Sequence, residues 1–240
     1  MLQHVYERAS MARYLTSTIV ATDDQRVFDA ARAFGAPVRM TRPDHLSGTD
    51  RVAEVASAEN AAIIVNIQAD EPLIDPAAID AAILPVAHDA AIVMSTLKKR
   101  IEDPREIADP NVVKVVANHA GDAIYFSRSP IPYCRERGSS SNPRGGSLND
   151  PQGRPGAYFK HIGLYVYQRD FLLNYSLLTV GPLEQAERLE QLRALENGYS
   201  IRVVETEYES FGVDTPEDLE RVSRLFEATV IWKRQFESTV

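Results

Sequence analysis

The sequence predicts an α/β fold, a mainly parallel sheet wound with helices, and three observations lead to this prediction. Short apolar runs alternate with amphipathic stretches from the first residues onward. The run at 62–67 is almost uniformly apolar, which is typical of a strand buried on both faces of a parallel sheet. After Gln68 and Ala69 the chain continues with two carboxylates, Asp70 and Glu71, and open α/β folds bind ligands at the carboxyl ends of their strands. We therefore expect a single domain over 1–240 with its site at the end of this strand.

The composition is typical of a globular protein and narrows the possible partners. The chain has a net charge of −8 and no basic run longer than Lys98-Lys99-Arg100, which argues against a nucleic-acid backbone as partner. Cys134 is the only cysteine, so an internal disulfide is excluded and a reducing compartment fits. No apolar run has the length of a membrane span, and the first residues do not resemble a secretory signal. We expect a cytoplasmic protein without membrane insertion.

The first half of the chain alternates between helical and extended patterns. Leu2, Val5, Tyr6 and Ala9 recur at the spacing of one helix face. The segments that follow are predicted as a strand at 18–21, a helix at 27–34, a strand at 37–40, a polar loop at 41–48 and a helix with Thr49 as its N-cap. This alternation favours a parallel sheet.

The second half continues the alternation, with one long interruption. Helices are predicted at 76–86 and 183–195, and strands at 91–96, 112–116, 123–127, 160–167 and 201–204. Residues 129–156 are rich in Gly, Pro, Ser and Arg and bury too little apolar surface to order themselves. We predict a flexible lid or dimerisation segment there, with a tolerated insertion as the alternative. Residues 229–240 are predicted as a C-terminal extension.

Two aspartates follow strand ends and are candidate metal ligands. Asp70 and Glu71 come directly after the apolar run, where an acidic pair favours a divalent cation. The alternative is that Asp70 caps the helix beginning near Pro76. Asp214 precedes a predicted cap at Thr215 and is not needed for that cap. With Asp70, it is placed to hold a metal ion.

Seven motifs together resemble one family, because they stand in its order and approximate spacing from residue 1 to about 225. The chain is similar to the 3-deoxy-manno-octulosonate cytidylyltransferases. The motifs are His45-x-Ser47-Gly48-Thr49-x-Arg51, Gln68-Ala69-Asp70-Glu71-Pro72, Asn111-x-Val113-Lys114-Val115-Val116, Tyr125-Phe126-Ser127-Arg128, His161-x-Gly163-x-Tyr165-x-Tyr167, Leu189-Glu190-Gln191-Leu192-Arg193 and Gly212-Val213-Asp214-Thr215-Pro216-Glu217-Asp218.

The resemblance implies a homodimeric enzyme with a nucleotide-diphospho-sugar transferase-like fold that needs Mg²⁺. In this family the anomeric hydroxyl of 3-deoxy-manno-octulosonate (KDO) attacks the α-phosphate of CTP, and pyrophosphate leaves, in a step of lipopolysaccharide synthesis. By resemblance, Asp70 and Asp214 hold the metal, and Arg128 is the third catalytic residue. The expected substrate contacts are Ala21, Thr22, Asp23, Ser47, Gly48, Thr49, Arg51, Gln68, His161, Tyr165, Glu190 and Gln191, of which the last four form the sugar pocket with Arg128.

Several of these residues also have an ordinary structural interpretation. Arg128 can pair with a surface acid instead of the KDO carboxylate. Tyr165 shares a strand face with Tyr167 and can belong to the core. The remaining alternatives are a satisfied strand histidine for His161, the solvated face of a helix for Glu190 and Gln191, and a helix surface pair with Gln191 for Glu187.

The chain differs from the family at its N-terminus. The family begins with a strand and a phosphate loop resembling Pro-Ala-Arg-Tyr-x-Ser-x-Arg-Leu-Pro-Gly-Lys, which this sequence does not contain. We therefore expect that Met1 is an internal methionine, that the working protein starts upstream, and that the 240-residue form alone is inactive or poorly soluble. Two alternatives stay open: a cytidylyltransferase for another acidic sugar, and a non-catalytic homologue that binds nucleotide or sugar.

Overall fold

The computed structural model describes residues 1–45, 47–133, 158–213 and 215–237, with side chains described as far as Phe226. Most of the predicted flexible segment at 129–156, all side chains of the extension at 229–240, and Asp214 lie outside this description. The chain divides into two compact units. The first unit contains Met1–Met40, Ile67–Asp80 and Tyr208–Val240, and the second contains Thr41–Asn66 and Ala81–Glu207. The single domain expected over 1–240 stays a prediction.

The structure contains alternating helices and strands over most of its described length. In chain order they are α1 (Leu2–Ala9), β1 (Val20–Thr22), α2 (Gln25–Ala33), β2 (Val38–Met40), α3 (Gly48–Ser57), β3 (Ile63–Asn66), α4 (Pro76–His88), β4 (Met94–Arg100), α5 (Pro104–Ala108), β5 (Lys114–Ala117), β6 (Ala123–Ser127), β7 (Phe159–Gln168), α6 (Arg169–Tyr175), α7 (Pro182–Glu187), α8 (Leu192–Glu196), β8 (Arg202–Glu205) and α9 (Pro216–Glu237). Within the described residues, no helix is both long enough and apolar enough to cross a bilayer.

The first unit contains a small parallel sheet. β1 pairs with β2 in parallel, with Val20 opposite Val38. Val20, Ala31 and Ala36 form a buried cluster between this pair and α2. The connection through α2 is the right length for a parallel crossover, as the alternating pattern predicted.

The second unit contains a six-stranded mixed sheet in the order β6-β5-β7-β4-β8, with β3 also paired to β7. The β4–β8 pair is parallel, whereas β3–β7, β4–β7, β5–β6 and β5–β7 are antiparallel. The α/β class is confirmed. The prediction that the run at 62–67 forms a fully buried parallel strand is wrong, because β3 pairs antiparallel and Ile63, Ile64 and Val65 are only half-buried. An apolar run predicts a covered strand but does not fix the direction of its neighbour.

Two further expectations about helices are wrong. Residues 183–195 form two short helices, because Arg188 adopts a left-handed conformation at φ 54° that ends α7. The segment between α7 and α8 places Leu189 and Gln191 in the interior, where they are 6% and 4% exposed. The N-cap of α3 is Ser47 rather than Thr49: Ser47 is extended, and its hydroxyl accepts a hydrogen bond from the Asp50 N–H at 3.1 Å. Both differences shape the candidate site.

Candidate active site

In the first unit, Asp70 lies in a tight turn that is tied to a distant segment of the chain. The Glu71 N–H donates to the Gln68 carbonyl at 3.4 Å, and the Val213 N–H donates to the Asp70 carbonyl at 3.0 Å. Asp75 supplies the cap of α4, because its carboxylate accepts from the Ala77 N–H at 3.0 Å. The alternative that Asp70 caps this helix is therefore wrong.

Glu71 reinforces the same tie through its side chain. Its carboxylate accepts hydrogen bonds from the Tyr208 hydroxyl at 2.7 Å and from the Ser210 hydroxyl. Burial raises the pKa of Glu71, the two hydroxyl bonds oppose this shift, and the neighbouring charge of Asp70 adds to it. Segment 208–213 is thus bound to the Asp70 turn by main-chain and side-chain contacts.

Asp214 lies outside the described residues, but both residues that flank it are described. Val213 is bonded to the Asp70 carbonyl, and Thr215 begins a capping box with Asp218. The Asp218 N–H donates to the Thr215 hydroxyl at 3.2 Å, which confirms the predicted cap. Among the described residues, no three or more His, Cys, Asp or Glu side chains gather into one group. This result is compatible with a divalent cation, because nucleotide enzymes often hold one with one or two carboxylates and the substrate phosphates.

Three further predicted site residues follow one another at the end of β1. Thr22 is buried, and its hydroxyl accepts from the Asp24 N–H at 3.1 Å. Asp24 in turn caps α2 through the Arg26 N–H at 2.8 Å. Ala21 and Asp23 flank Thr22 in this strand-to-helix turn, which has the position of a ligand loop in an α/β fold. Gln68, at the start of the Asp70 turn, is exposed, as a ligand contact requires.

In the second unit, the N-terminus of α3 meets the carboxylate of Glu190. The Ser47 hydroxyl donates to Glu190 Oε1 at 3.0 Å while it caps the helix. Gly48 is the first helical residue, and the buried Thr49 also hydrogen-bonds Glu190. A carboxylate at this helix end is stabilised by the free N–H groups and the helix dipole.

The loop before α3 is held by charged side chains. Arg51 Nη1 donates to the Thr41 hydroxyl at 2.5 Å, and His45 contacts Glu54. His45 and Glu54 also line a pocket of about 410 Å³ beside α3 and the end of α6, which includes none of the predicted site residues. Through its bond to Thr41, Arg51 supports the shape of this loop.

Glu190 and Gln191 lie in the break between α7 and α8 and not on a helix face. The Tyr175 hydroxyl donates to the Glu190 carbonyl at 2.7 Å. The solvated-helix interpretation of both residues is therefore wrong. The pairing of Glu187 with Gln191 on one helix surface is also wrong, because the chain turns between them.

Glu187 instead joins the end of β6. Its carboxylate accepts from the Ser127 hydroxyl at 2.6 Å and from the Arg128 N–H at 2.9 Å. The Arg128 guanidinium donates to the carbonyls of Glu187 at 2.8 Å, Pro110 at 3.0 Å and Arg188 at 3.5 Å. Arg128 thus pairs with carbonyl oxygens and not with a surface acid, so that alternative is wrong. A guanidinium has five N–H donors, and within the described residues three of them are used by these carbonyls.

Lys114 supports this arrangement from inside the protein. It is fully buried, and its ammonium donates to the carbonyls of Asp109 at 2.8 Å and Val112 at 2.6 Å. Burial lowers the pKa of Lys114, with the charges of Asp109 and Glu187 opposing the shift. Lys114 and Arg128 together bind three carbonyls of the turn at 109–112, which fixes the turn against the end of β6.

His161 and Tyr165 project from β7 in a row of aromatic rings. The His161 ring meets Phe126 edge-on at 5.0 Å and lies 5.4 Å from Tyr165, and Tyr165 stacks on Tyr167 at 6.1 Å. Tyr167 is buried, whereas His161 and Tyr165 are partly exposed. Burial nevertheless lowers the pKa of His161 to about 3, so the ring is neutral near pH 7. Phe126 and Tyr167 are the buried core residues of this row, and His161 and Tyr165 lie between them and are partly exposed.

The family model for cytidylyltransferases matches residues 1–207. The chain belongs to the cytidylyltransferase family. A protein of Solibacter usitatus (strain Ellin6076) named 3-deoxy-manno-octulosonate cytidylyltransferase is 74% identical over 231 residues, which cover 96% of this chain and 86% of the relative. The protein of the same name from Geobacter metallireducens is 55% identical over 224 residues, 92% of this chain and 85% of the relative. The resemblance predicted from the seven motifs is confirmed.

Solved structures agree with this assignment. A CMP:2-keto-3-deoxy-manno-octonic acid synthetase complexed with CTP superposes with a TM-score of 0.83 at 44% identity, covering 95% of this chain and 88% of that one. A glucose-1-phosphate thymidylyltransferase from Bacillus anthracis superposes with a TM-score of 0.59 at 13% identity, which shows the shared fold alone. The nucleotide-diphospho-sugar transferase-like fold is confirmed for this cytidylyltransferase.

Four residues that contact or support the predicted site residues were not predicted as functional. Tyr208 and Ser210 belong to no motif, and the sequence indicates Thr96 only as the end of a strand. The contacts of these three residues are long-range, so no local pattern indicates them. The fourth residue is Lys114. Lys114 carried a signal, because a lysine within an apolar strand motif is rarely buried without a specific partner.

The burial of the Glu190 carboxylate leads us to predict that this residue lowers stability while it supports activity. Burial raises its pKa above the ordinary value of 4.5, against the hydrogen bonds of Ser47 and Thr49. Because the folded-state pKa is raised, the stabilisation is complete below pH 4.5 and is lost as pH rises through the folded-state value. We expect Glu190→Gln to raise the free energy of unfolding near neutral pH by about 1 kcal/mol while it lowers turnover.

Chemical denaturation of wild type and Glu190→Gln at acidic and at neutral pH checks this expectation. The two proteins should converge in stability as the pH falls towards 4.5. Equal free energies of unfolding of the two proteins at neutral pH would contradict the destabilisation that we assign to the buried, charged carboxylate of Glu190.

Proposed function

We propose that this protein transfers CMP from CTP to the anomeric hydroxyl of KDO, giving CMP-KDO and pyrophosphate for lipopolysaccharide synthesis. The observation that carries the proposal is the 74% identity with a 3-deoxy-manno-octulosonate cytidylyltransferase over 96% of the chain. The superposition with a synthetase bound to CTP supports the nucleotide. The residues of the seven motifs are present, including both candidate metal ligands, Asp70 and Asp214.

Each group of residues has a proposed task in this reaction. By the family resemblance, the turns at 21–23 and 68–70 of the first unit are assigned to the nucleotide. The resemblance gives the same task to four residues at the start of α3 in the second unit, Ser47, Gly48, Thr49 and Arg51. The sugar is bound by His161, Tyr165, Glu190 and Gln191. The Arg128 donors that no described residue uses suit the KDO carboxylate, which a guanidinium can bind with two parallel hydrogen bonds. This leaves the anomeric hydroxyl as the group that attacks.

Asp70 and Asp214 are the proposed ligands of Mg²⁺. The bond between the Val213 N–H and the Asp70 carbonyl supports this, because it binds the residue before Asp214 to the Asp70 turn. When bound, Mg²⁺ neutralises charge on the triphosphate and on the leaving pyrophosphate. The residues of the chain supply orientation: Glu71 fixes the Asp70 turn, and the break at Arg188 aims Glu190.

We further propose a homodimer in the cytoplasm, on narrower grounds. The dimer rests on the family resemblance alone. The compartment rests on the single cysteine, which suits a reducing environment, and on CTP as the substrate.

Pyrophosphate release by the full-length protein tests the function and separates the acidic sugars. With CTP and Mg²⁺, KDO should support release at least about a hundredfold faster than N-acetylneuraminate, because a polar pocket rejects a sugar that leaves its groups unpaired. UTP should replace CTP poorly. Faster turnover of another acidic sugar would overturn the assignment of KDO, and binding of CTP without release from any sugar would favour a non-catalytic homologue.

A further inference from the structure

Thr96 lies where the pairing of β4 with β7 is irregular. Thr96 is paired with Tyr165, but the next residue of β4 is paired with Ile162, so two residues of β7 bulge out of the ladder. Thr96 is completely buried. Its hydroxyl lies 3.1 Å from the carbonyl oxygen of Ile162 and 2.8 Å from that of Leu164. The hydroxyl therefore lies within hydrogen-bonding distance of two carbonyl oxygens at the bulge, where the regular ladder is interrupted.

The same hydroxyl determines which nitrogen of His161 carries the proton. Thr96 Oγ1 also lies 2.9 Å from His161 Nε2. A hydroxyl has one hydrogen, and carbonyl oxygens only accept, so the hydrogen of Thr96 points to the carbonyls. Nε2 then faces a lone pair of Oγ1 and must donate. The ring is neutral, so Nδ1 carries no hydrogen and is an acceptor.

The orientation of the ring leaves Nδ1 for a ligand. Phe126 meets the ring edge-on and Tyr165 lies beside it, which restricts its rotation. Within the part of the chain that the structure describes, the one hydrogen bond of the His161 side chain is the bond to Thr96. His161 is partly exposed even so, although its ring lies between Phe126 and Tyr165.

We propose that Thr96 is a positioning residue that holds His161 as the Nε2–H tautomer, so that Nδ1 accepts a hydrogen bond from a hydroxyl group of the sugar substrate. This inference rests on the proposed function, because it takes the ligand at His161 to be the sugar. It specifies the chemistry of recognition: the sugar must carry a donor at this position. An ether or carbonyl oxygen there would face the Nδ1 lone pair and be rejected.

¹⁵N NMR of histidine-labelled full-length protein near neutral pH reads the tautomer without any substrate. The His161 signals are assigned by their loss in His161→Gln. Wild type and Thr96→Ser should show the proton on Nε2, because both supply a hydroxyl. Thr96→Val removes the acceptor, and the proton should shift to Nδ1. A proton on Nδ1 in wild type, or an unchanged tautomer in Thr96→Val, would overturn the proposal.

Steady-state kinetics adds a readout that a purely structural role would not change. Thr96→Val should raise the KM for KDO by roughly 5- to 50-fold and change the KM for CTP less than about twofold. Thr96→Ser should recover most of the loss. Ser95→Ala is the matched control, because Ser95 is also fully buried on β4 but donates to the Ala82 carbonyl at 2.6 Å, and it should leave the KM for KDO unchanged.

The outcomes separate the proposal from the function on which it rests. If Thr96→Val and Ser95→Ala change the KM for KDO equally, the effect is loss of packing and the proposal is overturned. If wild type forms no CMP-KDO at all, the proposed function is overturned, while the spectrum still decides which nitrogen of His161 carries the proton.

Discussion

Asp70→Asn is expected to lower kcat/KM for CMP transfer at least about a hundredfold, because it removes a carboxylate charge from the proposed Mg²⁺ site. The amide has nearly the same size, and the contact with the Val213 N–H uses the main-chain carbonyl of residue 70, so the fold should remain. Raising the Mg²⁺ concentration should recover part of the rate, because the lost charge weakens metal binding. Initial rates over a range of Mg²⁺ concentrations measure both effects.

Asp75→Asn is the control for Asp70→Asn. Asp75 lies five residues away and caps α4, and Asn caps helices about as well as Asp. The activity of Asp75→Asn should stay within about twofold of wild type. Both variants should have melting temperatures close to that of wild type. Wild-type turnover by Asp70→Asn at the same Mg²⁺ concentration would contradict the assignment of Asp70 as a metal ligand.

Glu187→Ala is expected to have the second largest effect, because it removes the contact between the end of β6 and the break that carries Glu190. The change leaves the Ser127 hydroxyl and the Arg128 N–H without their acceptor. The free energy of unfolding should fall by about 2–4 kcal/mol. The KM for KDO should rise at least about tenfold, and the KM for CTP should change less, since the residues affected belong to the sugar pocket.

Glu205→Ala is the matched control for Glu187→Ala. Glu205 lies in the same unit, and its side chain is 53% exposed beside Lys98. Glu205→Ala should lower the free energy of unfolding by less than about 1 kcal/mol and leave the KM values for KDO and CTP unchanged. If Glu187→Ala behaves like Glu205→Ala in stability and in the KM for KDO, Glu187 does not position the sugar pocket.

The sequence predicted the elements of the fold better than their pairing. The strand at 123–127, the turn at Gly121 and the helix from Pro76 were predicted from local patterns of apolar, turn and capping residues. The antiparallel partner of β3 was not predictable, since it depends on β7, about a hundred residues later. The ten residues of β7 pair with β3, β4 and β5. No local sequence pattern indicates these three pairings.

The site shows the same limit. Motifs named Glu190 and Gln191, but the helical pattern of 183–195 concealed the left-handed break at Arg188 that turns them inward. The break is stabilised by carbonyl contacts from Arg128, which is distant in sequence. Roles that depend on such long-range contacts, as for Glu187 and Thr96, are visible only in the folded structure.

The most direct test of the central claim is ³¹P NMR of the full-length protein incubated with CTP, KDO and Mg²⁺. We predict that the CTP signals are replaced by those of pyrophosphate and of one new phosphodiester, CMP-KDO, in equal amounts, and that neither forms without KDO. Accumulation of free CMP, release of inorganic phosphate in place of pyrophosphate, or unchanged CTP would contradict the account.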